Sequence, residues 1–492
     1  MLVLLFTSAG AGCAFRANSL GATVSFYTFS GLAGTKKYVS RFDSSVLVDS
    51  FKVSPDNRRV AFWVRTGDKQ SVFIDGKAQK QYTYIGGGII DFSADSKSVA
   101  YLANESGKYF MVVDSEEMHP YEGISLSKSV FGRQGDGMAY VAQQGGKYFV
   151  VHAGDEGMHY DMVRTGSIEF APGGDGISYV AFKDNKRFVV SKGKEGKHYD
   201  DIAFGPLYSA DGKIAYVARE NRKQFVVVDG KEGRQYDKVA GNGFTFSADG
   251  GRLAYVACNG EKYFVVNEGA EEGPYAAIDE GTPVFSPDGA ELAYIASQYS
   301  DKDKCQVKPE GPATIKSGRM GMRECTYDTA VVNGNEVAKY DEIREGSLVF
   351  SPVGQRLAYA VKKGNKWVMV TDGMEGDPFD SIGKAVFSQD GENVAYAALI
   401  SGKVAIVING KVAGHSKCKL VTNPVFSPDG KKVAYVIQKG ARQAVVFDGR
   451  EGEAFDAVVT TGGGSIVFDS PVSLHFLAKQ GNGIFLVKER LN

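Results

Sequence analysis

Long apolar runs are missing from this chain of 492 residues. No stretch of 18 or more apolar residues occurs, so the sequence predicts no membrane-spanning helix. An excess of one charge sign is also missing, because 57 basic residues stand against 58 acidic ones and the two signs are interspersed. Without a basic field that attracts phosphate groups, neither a nucleic-acid partner nor binding to an anionic membrane is expected.

Sequence motifs of several enzyme classes are absent as well. The chain contains no Gly-x-Ser-x-Gly, Cys-x-x-Cys, His-Glu-x-x-His or Walker A motif, and no glycine fingerprint that follows a strand and opens a helix. The six histidines are scattered. His119, His159 and His198 fall on separate outer strands, which favours surface positions over a shared zinc ion. We therefore predict no cofactor and no metal site, and we assign no catalytic residue.

Cysteine is scarce, and the first of the five cysteines bears on localisation. Residues 2–6 are apolar, small residues follow, and Cys13 comes next, which resembles the end of a bacterial lipoprotein signal in which Cys13 carries the lipid. Gly10 stands where such signals usually have leucine, and a basic segment is missing. An N-terminal strand with an incidental cysteine is the alternative.

Two further cysteines, Cys305 and Cys325, lie in the one segment that interrupts the repeat described below. A disulfide between them would close a loop of about 20 residues, which stabilises by roughly 3 kcal/mol in the chain-entropy model. Such a bond favours an oxidising compartment, whereas two free thiols in a cytosolic protein are the alternative. With Cys13, this predicts a periplasmic or cell-envelope protein of bacterial type; a cytoplasmic location is the alternative.

Glycine is abundant, with 61 residues in the chain, well above the usual share of about 7%. Together with many aromatic residues, it predicts short strands joined by tight turns. An apolar marker residue before a Ser-Pro-Asp-Gly-like turn recurs every 37 to 42 residues, apart from one interval of 65. The markers are Val53, Phe92, Phe131, Phe170, Tyr208, Phe246, Phe285, Phe350, Phe387, Phe426 and Phe468.

Each repeat unit contains four strand-like segments. The first ends at the marker and enters a turn whose Pro, Asp and Gly suit a chain reversal. The second, such as 253–257, is apolar on both faces, which requires covering layers on both sides. The third ends in Asx-Gly, as at Asp229-Gly230, which is typical of a type I′ hairpin. The fourth carries an aromatic-acid pair such as Tyr236-Asp237, whose acid is expected to face water or cap a turn. Turn aspartates are predicted to bind amides of their own turns rather than calcium: Asp211, Asp249, Asp288 and Asp429.

Four short antiparallel strands per unit, repeated about every 39 residues, predict an all-β chain that forms a β-propeller with about eleven four-stranded blades. The segments 285–296 and 426–437 resemble the WD40-like repeat of TolB-type propellers. This resemblance extends from Val53 to the C-terminus. It implies the propeller fold and is not specific for one function.

The predicted organisation is a possible lipoprotein signal at residues 1–13, a continuous propeller array at 14–492, and a loop insert at 298–330. Because four to eight blades per ring are usual, two consecutive rings divided near residues 240–290 compete with one large ring. The last unit has only three strands. Its fourth strand is predicted to come from the N-terminal stretch 22–29 or from Phe42-Asp43, which would remove an exposed sheet edge.

A non-catalytic binding or scaffold propeller of the cell envelope is the leading functional hypothesis, with a protein or glycan as its partner. In a propeller, the loops between the fourth strand of one unit and the first strand of the next surround the central channel. The candidate binding residues at this channel mouth are Arg164, Asp279, Glu280, Arg344 and Glu345. The alternative is a propeller enzyme, a glycan lyase or hydrolase, with a site built at the channel mouth from several blades.

Overall fold

The computed structural model describes residues 15–19, 22–29, 32–42, 46, 50–126, 131–132, 137–174, 176–279, 281–299, 326–416 and 418–491. Strands dominate these ranges, together with a 3₁₀ turn at Pro172–Gly174. No helix among the described residues is long and apolar enough to cross a membrane.

The strands form eleven antiparallel sheets, which are the blades of a β-propeller, and we number them 1 to 11 in chain order. This confirms the predicted fold class. The chain divides into two compact units: the first comprises the described residues up to Ser106, 112–117 and those from Ala413 onwards, and the second comprises 107–111 and 118–412.

The first six blades each follow the chain from a first to a fourth strand. Blade 1 comprises Lys52–Val53, Val60–Thr66, Lys69–Ile74 and Lys77–Tyr82; blade 2 comprises Tyr84–Phe92, Val99–Glu105, Lys108–Val113 and Glu116–Glu117; blade 3 comprises Gly123–Ser125, Ala139–Gln144, Lys147–His152 and Asp155–Glu156. Blade 4 comprises Met162–Val163 with Glu169–Phe170, then Ile177–Lys183, Lys186–Ser191 and Lys194–Glu195; blade 5 comprises Asp201–Tyr208, Ile214–Glu220, Lys223–Val228 and Lys231–Glu232; blade 6 comprises Lys238–Phe246, Leu253–Asn259, Lys262–Asn267 and Ala270–Tyr275.

In blades 7 to 11, as in blade 4, the first strand has two short pieces. Blade 7 comprises Ala277–Ile278 with Val284–Phe285, then Leu292–Tyr299, Thr326–Val332 and Asn335–Tyr340; blade 8 comprises Glu342–Ile343 with Val349–Phe350, then Leu357–Lys363, Lys366–Thr371 and Met374–Phe379; blade 9 comprises Ser381–Ile382 with Val386–Phe387, then Val394–Ile400, Lys403–Ile408 and Lys411–Ser416. Blade 10 comprises Lys419–Leu420 with Val425–Phe426, then Val433–Lys439, Arg442–Phe447 and Arg450–Phe455; blade 11 comprises Ala457–Val458 with Val467–Ser470, then Ser473–Gln480 and Gly483–Leu491.

The core lies between neighbouring blades and is built on the second strands. In blade 7, the segment 292–296 is fully buried at every position. Leu292, Tyr294 and Ala296 pack in one apolar cluster with Ala254, Val256 and Tyr275 of blade 6, and Ala293 and Ile295 pack on the other face against blade 8. Burial on both faces confirms the prediction from the apolar pattern. This cluster joins the two blades that flank the predicted division near 240–290, and the number of rings stays a prediction.

The turns behave as their sequences predict. In the turn after the marker Phe285, the Ser286 hydroxyl donates to Asp288 Oδ1 at 2.5 Å and accepts from the Glu291 amide at 2.9 Å. Asp288 also accepts from the Ala290 amide at 3.0 Å. The same arrangement recurs around Asp211, Asp249 and Asp429, so these aspartates bind within their own turns.

The Asx-Gly hairpins have the predicted backbone. Asp229 and Gly230 have φ values of 48° and 77°, as both central residues of a type I′ turn require. The Asp229 side chain has a second role that the turn signal does not reveal, because it accepts a hydrogen bond at 3.0 Å from the Ile214 amide at the start of the second strand. This hairpin is therefore also bonded to the second strand of its own blade.

The N-terminal segment completes blade 11. The strand Leu32–Arg41 pairs antiparallel with Gly483–Leu491 and supplies the fourth strand, and Ala22–Phe29 and Phe15–Ser19 pair in turn outside it. Closure by the N-terminal segment is thus confirmed. The predicted position of this fourth strand, at 22–29 or at Phe42, is wrong. Residues 22–29 form the next strand out, and Phe42 packs on the Phe51 ring with a centroid distance of 5.3 Å.

The insert joins the second and third strands of blade 7. These strands extend to Tyr299 and begin again at Thr326. Cys305 and Cys325 lie outside the described residues, as do Cys13 and the signal at 1–13, so the disulfide and the lipid anchor stay predictions.

Candidate functional site

The predicted channel-mouth residues that the structure describes lie at a break in the first strand of their blades. Arg164 and Arg344 each follow the first short piece, and a Gly with positive φ comes two residues later, Gly166 at 81° and Gly346 at 66°. A serine then holds the break, as where Ser167 donates to the Arg164 carbonyl at 2.7 Å and accepts from the Val180 amide at 3.0 Å. The break therefore has a defined structure, and the glycine and serine that form it can be seen in the sequence.

The two arginines reach across to the next blade. The Arg164 guanidinium donates to the Ile202 carbonyl of blade 5, and the Arg344 guanidinium donates to the Ile382 carbonyl of blade 9. Arg344 also lies over the Trp367 ring, with 4.1 Å between the guanidinium carbon and the ring centroid. Burial lowers the pKa of both guanidinium groups. Both arginines thus join adjacent blades.

The acidic candidates occupy different surroundings. Asp279 is buried, and its carbonyl accepts from the Thr282 hydroxyl at 2.8 Å. Glu345 is exposed, and Glu280 lies outside the described residues. Asp279 lies in blade 7 and Glu345 in blade 8, and a binding role for the three acids stays a prediction.

The aspartates of the aromatic-acid pairs hold adjacent blades together. Asp200 accepts from Lys186 Nζ at 2.8 Å and from the Asn221 amide at 3.0 Å in the next blade. Asp237 likewise accepts from Lys223 Nζ and from the Gly260 amide, both at 2.7 Å. These hydrogen bonds lower the pKa of both carboxyl groups, and the bond from the lysine has the largest effect. The prediction that the acid caps a turn is confirmed, and the turn belongs to the following blade.

The aromatic residue of the fourth segment packs on the next blade, also at Tyr82 and Tyr275, which no acid follows. Its ring meets an aromatic ring of the next second strand edge to face, at centroid distances from 5.7 to 6.4 Å. Burial raises the pKa of one of these second-strand rings, Tyr140, to about 12. The pairs are Tyr82–Tyr101, Tyr121–Tyr140, Tyr160–Tyr179, Tyr199–Tyr216, Tyr236–Tyr255, Tyr275–Tyr294, Tyr340–Tyr359, Phe379–Tyr396 and Phe455–Phe476.

The histidines do not converge. His159 and His198 stack on Phe149 and Phe188, with ring centroids 4.3 and 4.0 Å apart, and their side chains stay partly exposed. His475 is buried in blade 11 between Asp469 and the Asp56 carbonyl, each at 3.0 Å. Within the described ranges, no group of three or more His, Cys, Asp or Glu residues could hold a metal ion.

A cluster of arginines, missed by the sequence analysis, surrounds one carboxylate where blades 4 and 5 meet. Asp201 lies 3.2 Å from Arg219, 3.3 Å from Arg187 and 3.7 Å from Arg164. We call these four residues the arginine cluster. Three guanidinium groups share one counter-ion, so the cluster keeps a positive charge.

An open cavity of about 420 Å³ adjoins the arginine cluster, between blades 5 and 6. We call it the seam cavity; it is lined by Asp200, Arg219, Arg222, Gln224, Asp237 and Lys238. All six side chains are charged or carry an amide. They come from two blades, so no single repeat unit shows the site. Arg222 could have been noticed as a basic residue at a turn position that is glycine or asparagine in the other described turns with positive φ there.

Comparisons with known proteins give distant structural similarities alone. No family model and no curated protein matches the chain. Among solved structures, the chain is similar to a eukaryotic initiation factor at 12% identity over 81% of this chain and 92% of the other, with a TM-score of 0.40. It is also similar to the Dos1 propeller at 11% identity, covering 81% and 90%, TM-score 0.28, and to TolB from Acinetobacter baumannii at 15%, covering 65% and 78%, TM-score 0.23.

Proposed function

We propose that the protein is a non-catalytic binding β-propeller that holds a polar group of a protein or glycan partner in the seam cavity. The carrying observation is this open cavity, whose lining side chains come from two blades that are joined to each other. Concave sites with a few converging polar groups are the usual form of binding sites in proteins.

Rigid support favours binding at this position. Asp237 connects the third strand of blade 5 through Lys223 with the turn at Gly260 in blade 6. The Gln224 side chain accepts a hydrogen bond from the Val239 amide at 2.8 Å and so joins the same two blades. Side chains that are already held in place lose little conformational entropy when a partner binds.

The proposal also includes four predictions about repeat type and location. These are the TolB-type repeat, the cell-envelope location, the Cys13 lipid anchor and the disulfide between Cys305 and Cys325. Metabolic palmitate labelling of the full chain, with Cys13→Ala as control, tests the anchor. Label that depends on Cys13 supports an envelope protein, and unlabelled protein in the soluble fraction overturns this part.

Partner capture tests the binding role itself. The full chain is crosslinked mildly in bacterial envelope fractions and purified beside an Arg222→Ala/Lys238→Ala variant. A Lys231→Ala/Arg234→Ala variant is the matched control, since it removes the same charge at another place. Lys231 lies in the fourth strand of blade 5, and Arg234 follows that strand. We expect a discrete partner that the cavity variant loses and the control keeps. Recovery of no partner, or equal recovery with all three proteins, would falsify the proposal.

A further inference from the structure

We propose that the seam cavity binds carboxylates of an acidic segment in a protein partner. This inference rests on the proposed binding function and specifies its partner. It follows from two features of the cavity: the paired state of its acids and the unpaired state of two of its bases.

The two acids of the cavity already have partners. Asp200 is bound by Lys186 and the Asn221 amide, and Asp237 by Lys223 and the Gly260 amide. Each carboxylate therefore has a lysine and a backbone donor from outside the cavity lining. Their charge is largely neutralised before any ligand arrives.

The bases of the cavity have fewer partners. Within the described part of the chain, neither Arg222 nor Lys238 has a salt bridge, and both are exposed. Arg219 forms a salt bridge with Asp201, which it shares with Arg187 and Arg164. Arg222 and Lys238 thus lack a salt-bridge partner among the described residues, and an anionic ligand would supply one.

Arg222 has an unfavourable backbone conformation for its residue type. Its φ is 68°, at the second position of the turn between the second and third strands of blade 5. Other described turns also have positive φ at this position, and the residue there is a glycine or an asparagine: Gly107, Gly146, Asn185 and Gly402. A left-handed arginine destabilises the turn, and strained residues of this kind cluster at functional sites. Lys192 and Glu268 have positive φ in other turns of the chain, so the conformation bears on the stability of the turn and the proposal rests on the charges of the cavity.

An acidic peptide suits this lining better than a sugar ring. The cavity offers two guanidinium groups, an ammonium group and an amide from Gln224, and guanidinium groups bind planar carboxylates with two parallel hydrogen bonds. Clusters of arginine are a recurring mode of acidic-motif recognition. The lining contains no aromatic face on which a sugar ring could pack.

Calorimetric titration of the full chain with a hexaglutamate peptide tests the inference, with a hexaglutamine peptide as the uncharged control. We expect hexaglutamate alone to bind, with affinity falling about tenfold or more in Arg222→Ala/Lys238→Ala, on the scale of two lost charge-assisted contacts. Binding to Lys231→Ala/Arg234→Ala should stay within about twofold. Thermal melting of each variant confirms folding.

Several results would overturn the inference. One is hexaglutamate binding that is absent, or equal in all three proteins. Another is preferential binding of polygalacturonate, which would make the occupant a glycan, or binding of inorganic phosphate alone. If partner capture depends on the cavity but the captured molecule is not an acidic protein, the binding function stands and only this inference fails.

Discussion

The guanidinium carbon of Arg344 lies 4.1 Å from the centroid of the Trp367 ring while its nitrogen donates to the Ile382 carbonyl in the next blade. One side chain thus combines a cation–π contact with a hydrogen bond between blades. Arg164 makes the corresponding hydrogen bond between blades 4 and 5. Residues that the sequence marked as binding candidates prove to connect the repeat units.

Replacing Arg344 should therefore destabilise the fold. Arg344→Ala removes the hydrogen bond and the cation–π contact, which together are worth about 1 to 2 kcal/mol. We expect a lower melting temperature in calorimetry and altered fluorescence from Trp367, one of two tryptophans. Arg344→Lys should be intermediate because lysine keeps the charge and loses the planar fork. An alanine variant with unchanged melting and fluorescence would contradict this role.

Two second-strand tyrosines allow a matched test of buried hydroxyl groups. The Tyr294 hydroxyl lies 2.9 Å from that of Tyr275 and donates to Glu272 at 2.8 Å, whereas the buried Tyr359 hydroxyl has no hydrogen-bond partner within the described ranges. Tyr294→Phe should cost about 1 to 2 kcal/mol of unfolding free energy. Tyr359→Phe should be near neutral, and equal losses in urea denaturation would refute the distinction.

Stability should fall in acid. The lysine and turn-amide hydrogen bonds lower the pKa of Asp161, Asp200, Asp237 and Asp380 in the folded protein. A lowered pKa stabilises the fold above the unfolded-state pKa of about 3.9, and this stabilisation is lost as pH falls through the lower folded-state pKa. The melting temperature should therefore drop as pH is lowered below about 4.

The contribution of one such carboxyl can be isolated. Asp380→Asn should lower the melting temperature at pH 7 and flatten its decline in acid, because Asn keeps the size of the side chain and loses the titration. Asp341→Asn is the control, since Asp341 occupies the same register and has no salt bridge within the described residues. Parallel pH profiles for wild type and Asp380→Asn would refute the contribution.

Closure by the N-terminal strand should be energetically important. Leu32 is fully buried in a cluster with Ala434, Phe455 and Phe476. Leu32→Ala should cost about 2 to 5 kcal/mol, the usual range for buried leucine, measured by urea denaturation. Val353→Ala, at a residue that is 58% exposed, serves as control and should change little. A neutral Leu32→Ala would argue against this closure.

Arg222 should show a trade-off between stability and binding. Arg222→Gly relieves the positive φ of 68°, so we expect about 0.5 to 1 kcal/mol of added stability. The same change removes a cavity guanidinium and should weaken hexaglutamate binding. A glycine variant that is less stable in thermal melting would show that the backbone of Arg222 is not strained.

The sequence by itself determined the repeat unit and its local structure. The Ser286–Asp288 turn and the Asp229-Gly230 hairpin depend on contacts within a few residues, and the apolar second strands depend on alternation along one strand. Such features are local, so a single unit contains all the information needed to predict them. The eleven blades follow from counting these units.

Only the tertiary structure decided which units touch and what their contacts form. The fourth strand of blade 11 comes from Leu32–Arg41, more than 400 positions away from its partner Gly483–Leu491. Arg164 meets Ile202, and the seam cavity joins Arg219 with Lys238 from the next blade. These contacts cross blade boundaries, and the repeat pattern is nearly identical in every unit, so the pattern does not reveal at which boundary unpaired charges gather.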